Sequence, residues 1–220
     1  MHFSVVKEGD QPFLHILFYK GEKIWAEAGA MMFMSANIDI RTRAEKNLPS
    51  SSRGDSIALE KLRKAQFVCL SDDGEIAFSP PSPGSILKLE LDNQRIYCDG
   101  LSFLASTKDF EFKTQGSLKT LLTGASMFLQ SITGTGTVFL KCYGNLYERE
   151  LEKGESIIVD TGHLVAYEET VRYKLQKPKD QQLARSAGEW LVCKYTGPGK
   201  LWLQTRNRAE LAKVVQRYLP

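Results

Sequence analysis

The tripeptide Asp160-Thr161-Gly162 spells the signature of an aspartic protease. Such an enzyme needs two carboxylates sharing one proton through a common hydrogen bond. Internal alignment of the chain puts Glu27 and Asp99 at positions equivalent to Asp160. A threefold arrangement of those positions holds the carboxylates apart instead of pairing them. Acidic residues just before a turn are better read as acceptors of backbone N–H bonds at a strand end. His163, three residues after Asp160, is one of only three histidines, with His2 and His15. None stands two or four residues from another, and a divalent metal wants several convergent imidazole or carboxylate groups. The expectation is therefore no catalytic residue, no metal and no cofactor. Glu27, Asp99, Asp160 and His163 are kept as weak ligand-binding candidates.

Other chemistries fare no better. Gly134-Thr135-Gly136 and Gly197-Pro198-Gly199 precede strand-like runs, whereas a phosphate-cradling loop opens a helix. No Gly-x-Ser-x-Gly nucleophile elbow occurs. Cys69, Cys98, Cys142 and Cys193 are spread through apolar stretches, too sparse for a disulfide scaffold and read as reduced core thiols.

These residues are carried by a repeated pattern, which must be sought before the fold is assigned. Lys153 to Val165 aligns without gaps on Asp92 to Leu104, 61 residues earlier, and on Lys20 to Met32, a further 72 earlier. The match runs on into Ile38-Asp39-Ile40-Arg41, Phe110-Glu111-Phe112-Lys113 and Val171-Arg172-Tyr173-Lys174, which alternate apolar and charged residues as half-buried strands do. A second block recurs as Asp73 to Phe78, Thr135 to Leu140 and Pro198 to Leu203, in the same order each time. Gly21, Asn93 and Gly154 fall where a hairpin loop needs positive φ. Gly74, Gly136 and Gly199 are read as opening a second hairpin in each copy. Each copy is a small antiparallel unit, marginal alone at about 60–70 residues. The predicted architecture is all-β: three tandem antiparallel units in a pseudo-threefold β-sandwich or barrel, forming one domain. The units fall at about 1–79, 80–143 and 144–206, with a C-terminal helix over 207–220.

Insertions decorate the units. A polar, Ser-rich linker from Ala44 to Lys64 holds a short helical pattern around Ile57 to Leu62 and an Arg53-Gly54-Asp55 tripeptide, read as chance. Ser117 to Leu122 reads as a further helical turn or two. In the C-terminal helix Asn207 and Glu210 form a capping pair. Leu211, Val214, Val215 and Tyr218 make an apolar stripe expected to close the end of the β core.

The chain has 220 residues, is 42% hydrophobic and 25% charged, and carries a net +3, an ordinary composition for a globular protein. No apolar run approaches the roughly 20 residues of a membrane helix. Met1 to Phe13 reads as neither a signal nor a transit peptide, so a cytoplasmic location is expected. Charge is uneven. Arg172 to Pro220 holds 11 Lys and Arg against 3 Asp and Glu, and the rest holds 18 against 23. Lys200, Arg206, Arg208, Lys213 and Arg217, near Tyr195 and Trp202, could hold and stack a single strand of nucleic acid. Against that, Trp202 lies in an alternating apolar strand and the overall charge is low for a dedicated binder.

Three long stretches resemble a known family: Gly134 to Leu140, Val159 to Tyr167 and Gly197 to Arg206, with Ala26 to Met31 and Gly100 to Ser106 in the same pattern. It is the mitochondrial biogenesis family, named after a yeast protein of altered inheritance of mitochondria, whose prokaryotic members are mostly of unknown function. The resemblance implies a fold of the tryptophan RNA-binding attenuation protein type, in three tandem units, and brings no catalytic residues. The yeast member is associated with organisation of the inner mitochondrial membrane. This chain departs from it in reading without a transit peptide, so that role is not carried over. Where many relatives have Gly-rich apolar segments it has the polar Ala44 to Lys64, so any assembly role of those segments is not carried over either.

The expectation is a non-enzymatic scaffold or protein-interaction module. Its partner is a protein, with homo-oligomers formed through uncovered edge strands and peripheral membrane association as open options. Nucleic-acid binding through the basic final third is the alternative. Small-molecule binding between repeats is the second alternative.

Overall fold

A computed structural model describes residues 1–7, 9, 11–42, 64–115, 129–176 and 192–218. The linker carrying Arg53-Gly54-Asp55 and the Ser117 to Leu122 pattern lie outside the described residues. Within them the chain is almost wholly antiparallel strand, in β1 (His2–Val6), β2 (Phe13–Phe18), β3 (Lys23–Glu27), β4 (Met31–Met34), β5 (Ile38–Thr42) and β6 (Lys64–Cys69). There follow β7 (Gly74–Phe78), β8 (Gly84–Asp99), β9 (Phe103–Ser106), β10 (Glu111–Gln115), β11 (Leu129–Tyr143) and β12 (Leu146–Leu151). The last strands are β13 (Ser156–Asp160), β14 (Leu164–Glu168), β15 (Arg172–Gln176), β16 (Val192–Thr196) and β17 (Gly199–Gln204), followed by helix α1 (Arg208–Gln216).

Alternation dictates the strands. In β2, Leu14, Ile16 and Phe18 are buried while Phe13, His15 and Leu17 are not, the two-residue period of a sheet with one face inward. One large sheet runs β12-β17-β14-β8-β11-β9-β3-β6-β5, with β10 on β11; β1-β2-β7-β4 and β13-β16-β15 form two smaller ones. Among the described residues no sheet closes into a barrel, so of the two predicted forms the barrel is not what forms.

Strand registers coincide at the aligned positions. Met31, Phe33 and Met34 of β4 face Phe78, Ala77 and Ile76 of β7. Phe103, Ala105 and Ser106 of β9 face Leu140, Phe139 and Val138 of β11. Leu164, Ala166 and Tyr167 of β14 face Leu203, Trp202 and Leu201 of β17. Each pair shifts register at the same step. The Ile24–Phe67, Ile96–Ile132 and Ile157–Tyr195 pairs agree likewise.

The expected hairpins are corrected. Gly21 lies between β2 and β3 and Gly154 between β12 and β13, while Gly74 opens β7 after β6 and Gly199 opens β17 after β16. In each case the two strands belong to different sheets and do not pair. Gly21, Asn93 and Gly154 do take positive φ, at 82°, 49° and 85°. Asn93, however, sits inside the continuous strand β8, and Gly136 inside β11. The two strands pair along almost their whole length, with one register shift between Gly134 and Gly136. A bulge there absorbs the irregular backbone without ending either strand.

Three buried clusters form the core. The first gathers Leu14, Ile16, Phe18, Ile24, Phe67, Ile76 and Phe78 with Phe139 of β11. The second gathers Ile96, Leu140 and Cys142 with Val165 and Trp202. In the third, Leu129 of β11 joins Val159, Leu164, Tyr195 and Leu201. Every cluster thus borrows side chains from a neighbouring stretch of chain. Each large side chain so buried contributes about 1.5–3 kcal/mol, so the stretches depend on one another.

The C-terminal helix forms, but it does not close the core. Asn207 caps it, its side chain accepting from the Ala209 and Glu210 N–H groups at 2.8 and 3.4 Å. None of its residues is buried, and Leu211, Val214, Val215 and Tyr218 stay exposed. A nine-residue helix is marginal in isolation, so its attachment at the N-terminal end carries unusual weight.

Candidate functional site

Three of the four weak candidates, Asp99, Asp160 and His163, lie at that attachment. Asp160 ends β13 and leads into a single 3-10 turn, Thr161–His163. Its Oδ2 accepts a hydrogen bond from Asn207 Nδ2 at 2.8 Å. Gly162 makes this possible: a Cβ there would lie 2.1 Å from the same Asn207 nitrogen. His163 Nδ1 donates to the Gln204 carbonyl at 2.7 Å, while its Nε2 stands 3.8 Å from Asp160 Oδ2. The Gln204 side chain completes the corner, accepting from Tyr143 N–H and donating to the Gly162 carbonyl, each at 2.9 Å.

Asp99 ends β8 in the same way. Its Oδ2 accepts from Arg208 Nη1 at 2.7 Å, and its Oδ1 accepts from the Leu101 N–H at 3.3 Å. Glu27 ends β3 and pairs with Lys141 of β11, with side chains 11% and 5% exposed. Burial lowers the Lys141 pKa; the Glu27 carboxylate opposes that, and Arg208 and Asp99 also act on it. Asn207 and Arg208 are adjacent. Arg208–Asp99 and Asn207–Asp160 therefore stand side by side at the start of α1, and the charges of Arg208 and Asp99 also act on the separate Glu27–Lys141 pair.

Each carboxylate has its own cationic or amide partner, so no carboxylate dyad of the protease kind is formed. Among the described residues no group of three or more His, Cys, Asp and Glu could hold a metal. The four cysteines are free and buried. Burial pushes the Cys142 thiol to about 12 and the Cys193 thiol to about 11, far from a reactive thiolate. The partners Lys141, Gln204 and Asn207 were not singled out as site residues. A lysine inside the apolar run Val138 to Tyr143 was the available signal.

The basic residues are dispersed and largely engaged. Lys200 pairs with Glu148 at 2.9 Å, Arg208 with Asp99, and Lys213 with Glu210 at 2.6 Å. Arg206 packs over the Tyr143 ring at 5.7 Å, and Arg217 follows the end of α1. Trp202 is 4% exposed and donates its indole N–H to Glu148 at 2.8 Å; Tyr195 is fully buried. Neither ring offers a stacking face. A cleft of about 490 Å³ is lined by Arg95, Glu148, Glu168, Glu169, Lys200 and Trp202, among others. Its charges satisfy one another: Arg95 meets Glu169 at 2.8 Å, and Glu168 accepts from the Lys200 N–H at 2.9 Å.

The sequence matches the family described as Mitochondrial biogenesis AIM24 over residues 3–206. The chain belongs to that family. The chain is similar to an uncharacterised protein of Streptococcus pyogenes serotype M6, 24% identical over 230 residues, covering 100% of this chain and 92% of the relative. The X-ray structure of another Streptococcus pyogenes protein, from a structural-genomics programme, superposes with a TM-score of 0.78 at 23% identity, covering 99% of both chains. That likeness speaks for the fold alone. Among the described residues no helix is long and apolar enough to cross a membrane.

Proposed function

We propose that this AIM24-family chain is a non-enzymatic scaffold: one domain of three copies of a β unit, related by a pseudo-threefold of the tryptophan RNA-binding attenuation protein type, acting through protein contacts. One observation carries the reading. Glu27, Asp99, Asp160 and His163, the residues best placed for chemistry, are each spent on a tie to a distant stretch of chain. A catalytic or ligand set keeps groups convergent and unspent toward a reacting atom; each of these four side chains instead has a partner within the chain. The shared strand registers and the shared core clusters support the three-unit, one-domain part. Four buried free thiols favour a reducing compartment, the cytoplasm.

A thermal-shift series at low salt tests the reading, with divalent cations, nucleotides and a single-stranded oligonucleotide as probes. A ligand that binds the native state raises the melting temperature in a saturable way. The scaffold reading expects no such rise with any of them. A saturable rise with one overturns it, and a salt-sensitive rise with the oligonucleotide selects the nucleic-acid alternative.

A further inference from the structure

Two inter-unit strand pairings are made within the chain, and they share a register. Trp25 and Ala26 of β3 face Ser106 and Ala105 of β9. Tyr97 and Cys98 of β8 face Tyr167 and Ala166 of β14. The three-unit reading, on which this inference rests, calls for a third pairing in the same register: Ile158 and Val159 of β13 against Met34 and Phe33 of β4. It is not made. β4 is the last strand of one small sheet and β13 the last strand of the other. Among the described residues each has one side bonded, to β7 and β16, and one ladder edge open.

Exposure marks both edges as unfinished. Met32 is 57% exposed, whereas Leu104 and Val165 at the equivalent places are fully buried. Phe33 is 38% exposed against fully buried Ala105 and Ala166, and Ile158 is 64% exposed. An open edge flanked by large apolar side chains is a template for another strand.

We infer that β13 of one copy of this chain pairs with β4 of a second copy, head to tail. The two pairings already made define what each edge accepts, and the sequence supplies one unused strand of each kind. A second copy brings both. Ile158 would then meet Met34, and Val159 would meet Phe33, apolar against apolar across an antiparallel pair. The contact is heterologous: the two surfaces differ, so it builds rings when the rotation closes and open chains when it does not. Strands of four and five residues bury little area, which places the association among weak ones.

The test uses the full chain and two substitutions at exposed positions, Phe33→Asp and Ile158→Asp, with mass measured by light scattering across the micromolar range. The unsubstituted chain is expected to associate with concentration, and each variant alone to stay monomeric. An equimolar mixture of the two variants is expected to give a one-to-one dimer and nothing larger. In that mixture one intact β13 meets one intact β4, and the remaining edges are spoiled. Recovery on mixing also shows both variants folded. A chain that stays monomeric throughout overturns the inference, and this arm decides even if a variant does not fold. Variants that associate like the parent, or a mixture that stays monomeric, overturn it as well. A monomer without bound ligand would leave the scaffold reading standing.

Discussion

Glu27 and Lys141 form an ion pair in the core, joining strands 114 residues apart in the chain. Taking two charges out of water is costly, and the pair repays this only while both partners are present. Glu27→Gln alone is expected to cost about 3–5 kcal/mol, because it strands the Lys141 ammonium. The combined Glu27→Leu, Lys141→Met variant is expected to lose much less than either single change. Urea unfolding of the parent, Glu27→Leu, Lys141→Met and the combined variant checks this; additive losses would mean that the pair is not coupled.

The helix depends on a glycine that does not belong to it. A methyl at Gly162 would collide with Asn207, so Gly162→Ala is expected to unseat the cap and free α1. The loss is about 1 kcal/mol, the usual value of an N-cap. Amide exchange across 208–216 should rise to the level of an unanchored segment, while exchange in β2 and β7 stays slow. Asn207→Ala should produce the same pattern, and adding it to Gly162→Ala should change little.

Acid should weaken the fold through Glu148. Hydrogen bonds from the Lys200 ammonium and then the Trp202 indole hold its carboxyl below the ordinary carboxylate range. For a depressed folded-state pKa, the stabilisation is complete above the unfolded value and is lost as pH falls through the folded one. The window lies below the usual 4.5. Urea unfolding followed by tryptophan fluorescence at successive pH values reads it. Glu148→Gln should flatten the profile in that window and lower stability at neutral pH, with the gap from the parent closing as the pH falls.

Thiol chemistry separates a core from a site. With Cys142 and Cys193 raised by burial, native protein should react with an aromatic disulfide reagent only at the rate of unfolding. Rapid native labelling of either thiol at neutral pH would contradict the packing.

Much of this was legible in the residues. Alternation in stretches such as Phe13 to Phe18 reads as strand, and Asn207 with Glu210 reads as a helix start, because both signals are local. Positive φ at Gly21, Asn93 and Gly154 follows from residue type. The continuity of β8 through Asp92-Asn93 was not legible. Turn chemistry there is overridden by the ladder with β11: Asp92 and Asn93 together face the single residue Thr135, the extra residue is taken up as a bulge in β8, and pairing continues on both sides. The Leu211, Val214, Val215 and Tyr218 stripe says that a helix has an apolar face, and nothing in it says whether a surface waits to receive it. Glu27, Asp99 and Asp160 were legible as carboxylates at strand ends. Their partners were not, since Lys141, Arg208 and Asn207 reach them only once the sheets have stacked.

Native mass spectrometry of the protein, purified from its own host at low salt, tests the central claim most directly. The scaffold reading predicts a mass equal to a whole number of bare 24.8 kDa chains. Stoichiometric excess mass from a metal, a metabolite or a nucleotide fragment would contradict it.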